Sequence, residues 1–185
     1  MNSIYSIEIV FLLVLPSGHL RYLMKRSTDI DPTIRANFNH AKLLVVEDNP
    51  DHGFIIQSEL RRSMPEVKTI LATNADETRS YLSQCQGNDW DIPKMVLLDL
   101  YLPDRQDGWD LLDYIRGLPA DISKIPVVLF SYSGHREDIV EAYQRGCSSY
   151  LVKPSRTSEW QAYFDQLRSY WWETVTLPSN RISVF

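Results

Sequence analysis

From Ala41 onward, short apolar runs alternate with amphipathic stretches, the pattern of βα units wound around a parallel sheet. The runs Leu43 to Glu47, Val67 to Ala72, Met95 to Asp99, Pro126 to Phe130 and Ser149 to Val152 predict five strands. All but the second are almost continuously apolar, as strands covered by helices on both faces should be. Helical spacing predicts helices over Pro50 to Met64, Ala75 to Gln86, Gly108 to Leu118, His135 to Arg145 and Ser158 to Trp172. Pro50 suits the start of the first, where its missing N–H is no loss. On the last, Trp160, Phe164, Leu167 and Trp171 recur on one face and are expected against the sheet, leaving Tyr163, Tyr170 and Trp172 for the surface, with the alternative that Trp172, Val175 and Leu177 fold back over the domain.

Before Ala41 the pattern is different. Ile7 to Leu15 is apolar apart from Glu8, but too short for a bilayer span, which takes roughly 20 residues. It also lacks the preceding Lys or Arg of a signal peptide. Residues 1–40 are therefore expected to be an extension, an appended strand or docked tail joined by a linker over Thr28 to Asn39. Residues 41–172 form the domain and 173–185 a C-terminal tail.

Composition narrows the function classes. With 185 residues and 44% hydrophobic content the chain can build one ordinary core. Nineteen Lys and Arg against 24 Asp and Glu give a formal charge of -5, which argues against nucleic acid as a partner. Cys85 and Cys147 lie far apart without ligand or disulfide spacing, so a reducing, cytoplasmic setting is expected and no membrane. His19, His40, His52 and His135 also lack ligand spacing and read as surface or loop residues. Asp107, Asp110 and Asp113 lack the spacing of a calcium loop and suit a helix N-terminus.

The chemistry gathers at the carboxyl ends of the predicted strands, the edge where open α/β sheets build their sites. Glu47 and Asp48 end the first, Asp99 the third, Ser131 the fourth, and Lys153 the fifth. Carboxylates so crowded raise each other's pKa unless a cation sits among them, and hard oxygen ligands suit Mg²⁺. An aspartate beside such a metal and a lysine is a competent phosphoryl acceptor, with Ser131 placed to donate to a phosphoryl oxygen.

LLVVEDNPD, VLLDLYLP, PVVLFS and SYLVKP, in this order and strand context, resemble the receiver domain of two-component response regulators over Ala41 to about Trp172. The resemblance implies a flavodoxin-like (βα)5 fold of strand order 2-1-3-4-5, with Asp99 as the phosphorylation site. It implies that Glu47 and Asp48 hold Mg²⁺ directly or through water, joined by Asp99 and the backbone carbonyl of Tyr101. Ser131, Lys153 and Tyr150 become the catalytic and switch residues. A sensor histidine kinase is the implied partner, and the only catalysis is the chain's own phosphorylation and dephosphorylation.

FDQLRSYWWETVTLP resembles the tail of small receiver-only regulators encoded beside bacterial phytochrome kinases, which implies a phytochrome-type kinase and a homodimer through Tyr163, Tyr170 and Trp172. Two positions depart from the family. The glycine expected to open the third helix, Gly108, comes one residue late, and Tyr101 stands where a small polar residue is usual, so that its ring could hinder hydrolytic water. An aspartyl-nucleophile phosphatase would need a general acid where Tyr101 stands. A pseudo-receiver without phosphotransfer is the remaining alternative. A transcription factor would need more chain after the last helix than the dozen or so residues here.

Overall fold

The computed structural model describes residues 8–14, 20–26 and 31–178, the first two segments by backbone alone. Those two are strands β1 (Glu8–Val14) and β2 (Leu20–Arg26), paired antiparallel with Glu8 opposite Arg26 and Val14 opposite Leu20. The extension thus carries a two-stranded ribbon rather than the single strand or tail expected. After it come α1 (Pro32–Arg35), capped by the Asp31 side chain on the Thr33 N–H, and a 3₁₀ turn over Ala36–Phe38.

The domain then runs β3 (Lys42–Val46), α2 (Pro50–Ser63), β4 (Lys68–Ala72), α3 (Ala75–Cys85), β5 (Met95–Leu98), α4 (Arg105–Gly117), α5 (Ala120–Ser123), β6 (Val127–Ser131), α6 (Arg136–Gln144), β7 (Ser149–Val152) and α7 (Trp160–Trp171). Strands β4-β3-β5-β6-β7 form one parallel sheet, which counted from β3 is the expected order 2-1-3-4-5 of a flavodoxin-like fold. Period-two alternation sorts the side chains to two cores. Leu44, Val46, Val96, Leu98, Val127 and Leu129 face Leu82 of α3 and Leu111, Leu112 and Ile115 of α4. Leu43, Val45, Leu97, Val128 and Phe130 face Ile56 and Leu60 of α2 and Trp160, Phe164 and Leu167 of α7. Each such side chain, fully buried, contributes about 1.5–3 kcal/mol, so the double-sided covering of the sheet dominates its stability.

Helix α4 begins at Arg105, a turn earlier than expected from Gly108. The reason is local: the Asp107 carboxylate accepts from the Asp104 N–H at 3.2 Å, which caps the helix before the glycine is reached. Gly108 instead packs its bare backbone on Leu100, where a Cβ would lie 2.0 Å from the carbonyl oxygen.

The two ends of the domain are joined, which corrects three expectations. Over its described part the supposed linker is α1 and the following turn, and Asn37 within it is buried. The Asn37 amide donates to the carbonyls of Trp172 (3.1 Å) and Val175 (2.6 Å), and its oxygen accepts from the Leu177 N–H at 2.9 Å. Trp172 is 0% exposed rather than on the surface, and Leu177 of the supposed tail is buried beside it. Helical spacing alone left Trp172 off the sheet face; it is buried because the turn carrying Asn37 and the segment to Leu177 pack over it, a long-range contact that periodicity does not encode. Asn37→Ala strands three backbone groups, two of them buried, so we expect it to cost about 2 kcal/mol, read as a lower urea midpoint. An unchanged midpoint would mean that the clasp contributes nothing.

Candidate functional site

The sheet's carboxyl edge carries the site because the strand ladders continue into the polar residues. The Glu47 N–H donates to Ala72 O (3.0 Å), that of Asp99 to Val46 O (2.9 Å) and that of Lys153 to Ser131 O (2.8 Å). Each functional side chain therefore starts from a backbone held by a neighbouring strand. Glu47 is 2% exposed, Asp99 8%, Ser131 0% and Lys153 3%, while Asp48 is the most open of the three carboxylates.

The Lys153 ammonium bridges the buried acids, donating to Glu47 Oε2 at 2.7 Å and to Asp99 Oδ2 at 2.5 Å. Burial pushes the Glu47 carboxyl above its ordinary range; Lys153 opposes that shift and the neighbouring Asp99 adds to it. Glu47, Asp48 and Asp99 each offer an oxygen, all within 4.8 Å of one another. Three hard oxygen donors around a solvent-open cavity fit a small divalent cation such as Mg²⁺ or Mn²⁺.

That cavity, about 340 Å³, is rimmed by His52, Tyr101, Pro103 and Tyr132. The Tyr101 N–H points to Asp99 Oδ1 at 3.3 Å, and Tyr101 is 39% exposed at the mouth, next to Asp99. Neither His52 nor Tyr132 was among the residues expected here. His52, read as a surface or loop residue, lies in the first turn of α2 with Nδ1 3.1 Å from Glu47 Oε1. Its five-residue separation from Glu47 is no motif; only the Asn49 cap, which accepts from the Asp51 and His52 N–H groups, turns it back toward the strand end. Tyr132 directly follows Ser131, and its ring centroid stands 5.2 Å from the Lys153 ammonium.

Ser131 and Tyr150 meet at one residue. The Ser133 N–H donates to Ser131 Oγ at 3.3 Å, and the half-buried Tyr150 hydroxyl donates to Ser133 O at 2.9 Å. The Ser133 hydroxyl in turn donates to buried Asp138 on α6, which is ion-paired with Arg105 of α4. The loop after β6 is thus tied to Ser131, to Tyr150 and to two helices.

Fold and site together are those of a receiver domain. The family model for the response regulator receiver domain matches residues 43–165, and the chain belongs to that family. It is similar to response regulator Rcp1 of Synechocystis sp., with 31% identity over 139 residues, 74% of this chain and 92% of that protein. Among solved structures it is similar to the phosphorylated cyanobacterial phytochrome response regulator RcpA, with 30% identity and a TM-score of 0.67 over 76% of this chain and 99% of that one. The Mn(2+)-bound form of response regulator Rcp1 is similar at 29% identity and a TM-score of 0.64, covering 75% of this chain and 99% of that one. No helix among the described residues is long and apolar enough to cross a membrane.

Proposed function

We propose that this chain is a phosphoacceptor in a two-component relay, taking a phosphoryl group onto Asp99 from a sensor histidine kinase and signalling through protein contacts. The observation that carries the reading is the Lys153 ammonium held between Asp99 and Glu47, with an Asp48 oxygen within 4.8 Å of an oxygen of each. In transfer, an Asp99 carboxylate oxygen bonds to phosphorus as the phosphorus–nitrogen bond to the kinase histidine breaks, and the departing imidazole nitrogen takes up a proton. Mg²⁺ held by Glu47, Asp48, Asp99 and the Tyr101 carbonyl would neutralise charge that builds on the phosphoryl oxygens. Lys153 holds the acceptor oxygen before transfer and pairs with the phosphoryl group after it.

The new group brings about -1.5 to -2 charges, which draw the Ser131 hydroxyl inward and away from the Ser133 N–H. Tyr150 then loses its fixed acceptor and turns toward the space that Ser131 leaves. Because Ser133 is bonded to Asp138, the β6–α6 loop and α6 move with it. The chain catalyses only its own phosphorylation and dephosphorylation, in the cytoplasm, where Cys85 and Cys147 stay reduced.

Likeness to RcpA supports a phytochrome-type kinase as the partner. A homodimer through the α7 face is part of the same proposal, now resting on exposed Tyr170 and half-buried Tyr163 and Trp171, because Trp172 is withdrawn into the core. The pseudo-receiver alternative is disfavoured by the complete set of Glu47, Asp48, Asp99, Ser131 and Lys153. Acetyl phosphate with Mg²⁺ is expected to add the mass of one phosphoryl group, and chelation of the metal to prevent it. A chain that takes up none, even from phosphorylated histidine kinases, is a pseudo-receiver. Light scattering that finds only monomer at tens of micromolar, phosphorylated or not, would remove the dimer.

A further inference from the structure

We infer that His52 is a positioning residue for the cation site: it holds Glu47 by the oxygen that Lys153 leaves free, and Tyr132 holds it in turn. The inference rests on the phosphoacceptor reading and deepens it. Glu47 is buried, and its two oxygens are engaged from two sides, Oε2 by Lys153 at 2.7 Å and Oε1 by His52 Nδ1 at 3.1 Å. One contact would leave the carboxylate free to swing about its last torsion; two fix the plane from which it presents a lone pair to a metal.

The imidazole is itself confined. Its backbone is held by the Asn49 cap, its Nε2 lies 3.4 Å from the Tyr132 hydroxyl, and its ring centroid is 5.2 Å from that of Tyr132 and 6.5 Å from that of Trp160. In the neutral ring both polar contacts are satisfied in one direction: the Tyr132 O–H donates to Nε2, and Nδ1–H donates to Glu47 Oε1. Tyr132 thereby touches both partners of Glu47, since its ring also covers the Lys153 ammonium at 5.2 Å. The Nδ1 atom is not one of the three clustered ligand atoms, so the role of His52 is to orient a ligand rather than to be one.

The test is a titration of the full-length chain with Mn²⁺, read as loss of the free-ion electron paramagnetic resonance signal. By analogy with other outer partners of metal ligands, His52→Ala should weaken Mn²⁺ binding by about 10- to 100-fold. His52→Asn, whose amide nitrogen can take the place of Nδ1, should recover most of that affinity, and Tyr132→Phe should fall between His52→Ala and the parent. Asp48→Ala, which removes a ligand, separates this inference from the reading beneath it. If Asp48→Ala loses binding while His52→Ala stays within about twofold of the parent, the site stands and the role of His52 falls. If His52→Asn binds as weakly as His52→Ala and both melt early, the ring serves packing and the inference also falls. A parent chain that binds no Mn²⁺ overturns the site and the inference together.

Discussion

Asp99→Asn will abolish phosphoryl uptake from acetyl phosphate and leave a folded protein. The substitution keeps the size and shape of the side chain but replaces the attacking carboxylate oxygen by an amide, which is not a competent nucleophile. It also turns one of the three charged oxygen donors clustered within 4.8 Å into a neutral amide oxygen, so metal binding weakens as well. The fold should survive because Lys153, which would be costly to bury alone, keeps Glu47 at 2.7 Å. Intact-protein mass spectrometry after incubation with acetyl phosphate and Mg²⁺ reads the result directly. A full phosphoryl mass shift on the Asp99→Asn protein would place the acceptor elsewhere.

Gly108→Ala is expected to destabilise the domain by about 3 kcal/mol or more, an unusually large effect for one added methyl group. Two effects compete. Alanine favours a helix interior over glycine by about 1 kcal/mol. Against that, a Cβ at Gly108 would sit 2.0 Å from Leu100 O, 2.7 Å from its carbonyl carbon and 2.9 Å from its Cα. These are backbone atoms with no rotamer to change, so either α4 or the loop carrying Asp99 and Tyr101 must shift, and the clash wins. The urea midpoint should fall, and phosphoryl uptake should slow because Leu100 directly follows the acceptor. Gly117 on the same helix has nothing within 4 Å of a built Cβ, so Gly117→Ala should be neutral or gain up to about 1 kcal/mol. A Gly108→Ala protein as stable as the Gly117→Ala one would refute the argument.

The sheet was legible in the sequence because continuous apolar runs leave few alternatives for strands covered on both faces. The bearers of chemistry were legible for a related reason: Glu47, Asp48, Asp99, Ser131 and Lys153 are the polar residues that interrupt or end those runs. Other features depend on contacts that periodicity does not encode. The α4 start turned on the hydrogen bond between Asp104 and Asp107, and the fate of Trp172 turned on the Asn37 turn and the segment to Leu177 that pack over it. His52 and Tyr132 were missed because they come from separate elements, 80 residues apart, and meet only when α2 and the loop after β6 converge on the cavity.

The sequence by itself determined the five strands of the parallel sheet and, by resemblance, their order, and it named the polar groups that gather at one edge, since strands and polar ends are local patterns of apolar runs. The tertiary structure decided how those groups are held: Lys153 between two buried acids, Glu47 gripped on its second oxygen by His52, and Asn37 clasping the segment from Trp172 to Leu177. Such contacts pair residues distant in sequence, and their worth comes from burial and hydrogen-bond geometry, quantities that exist only once the chain has folded.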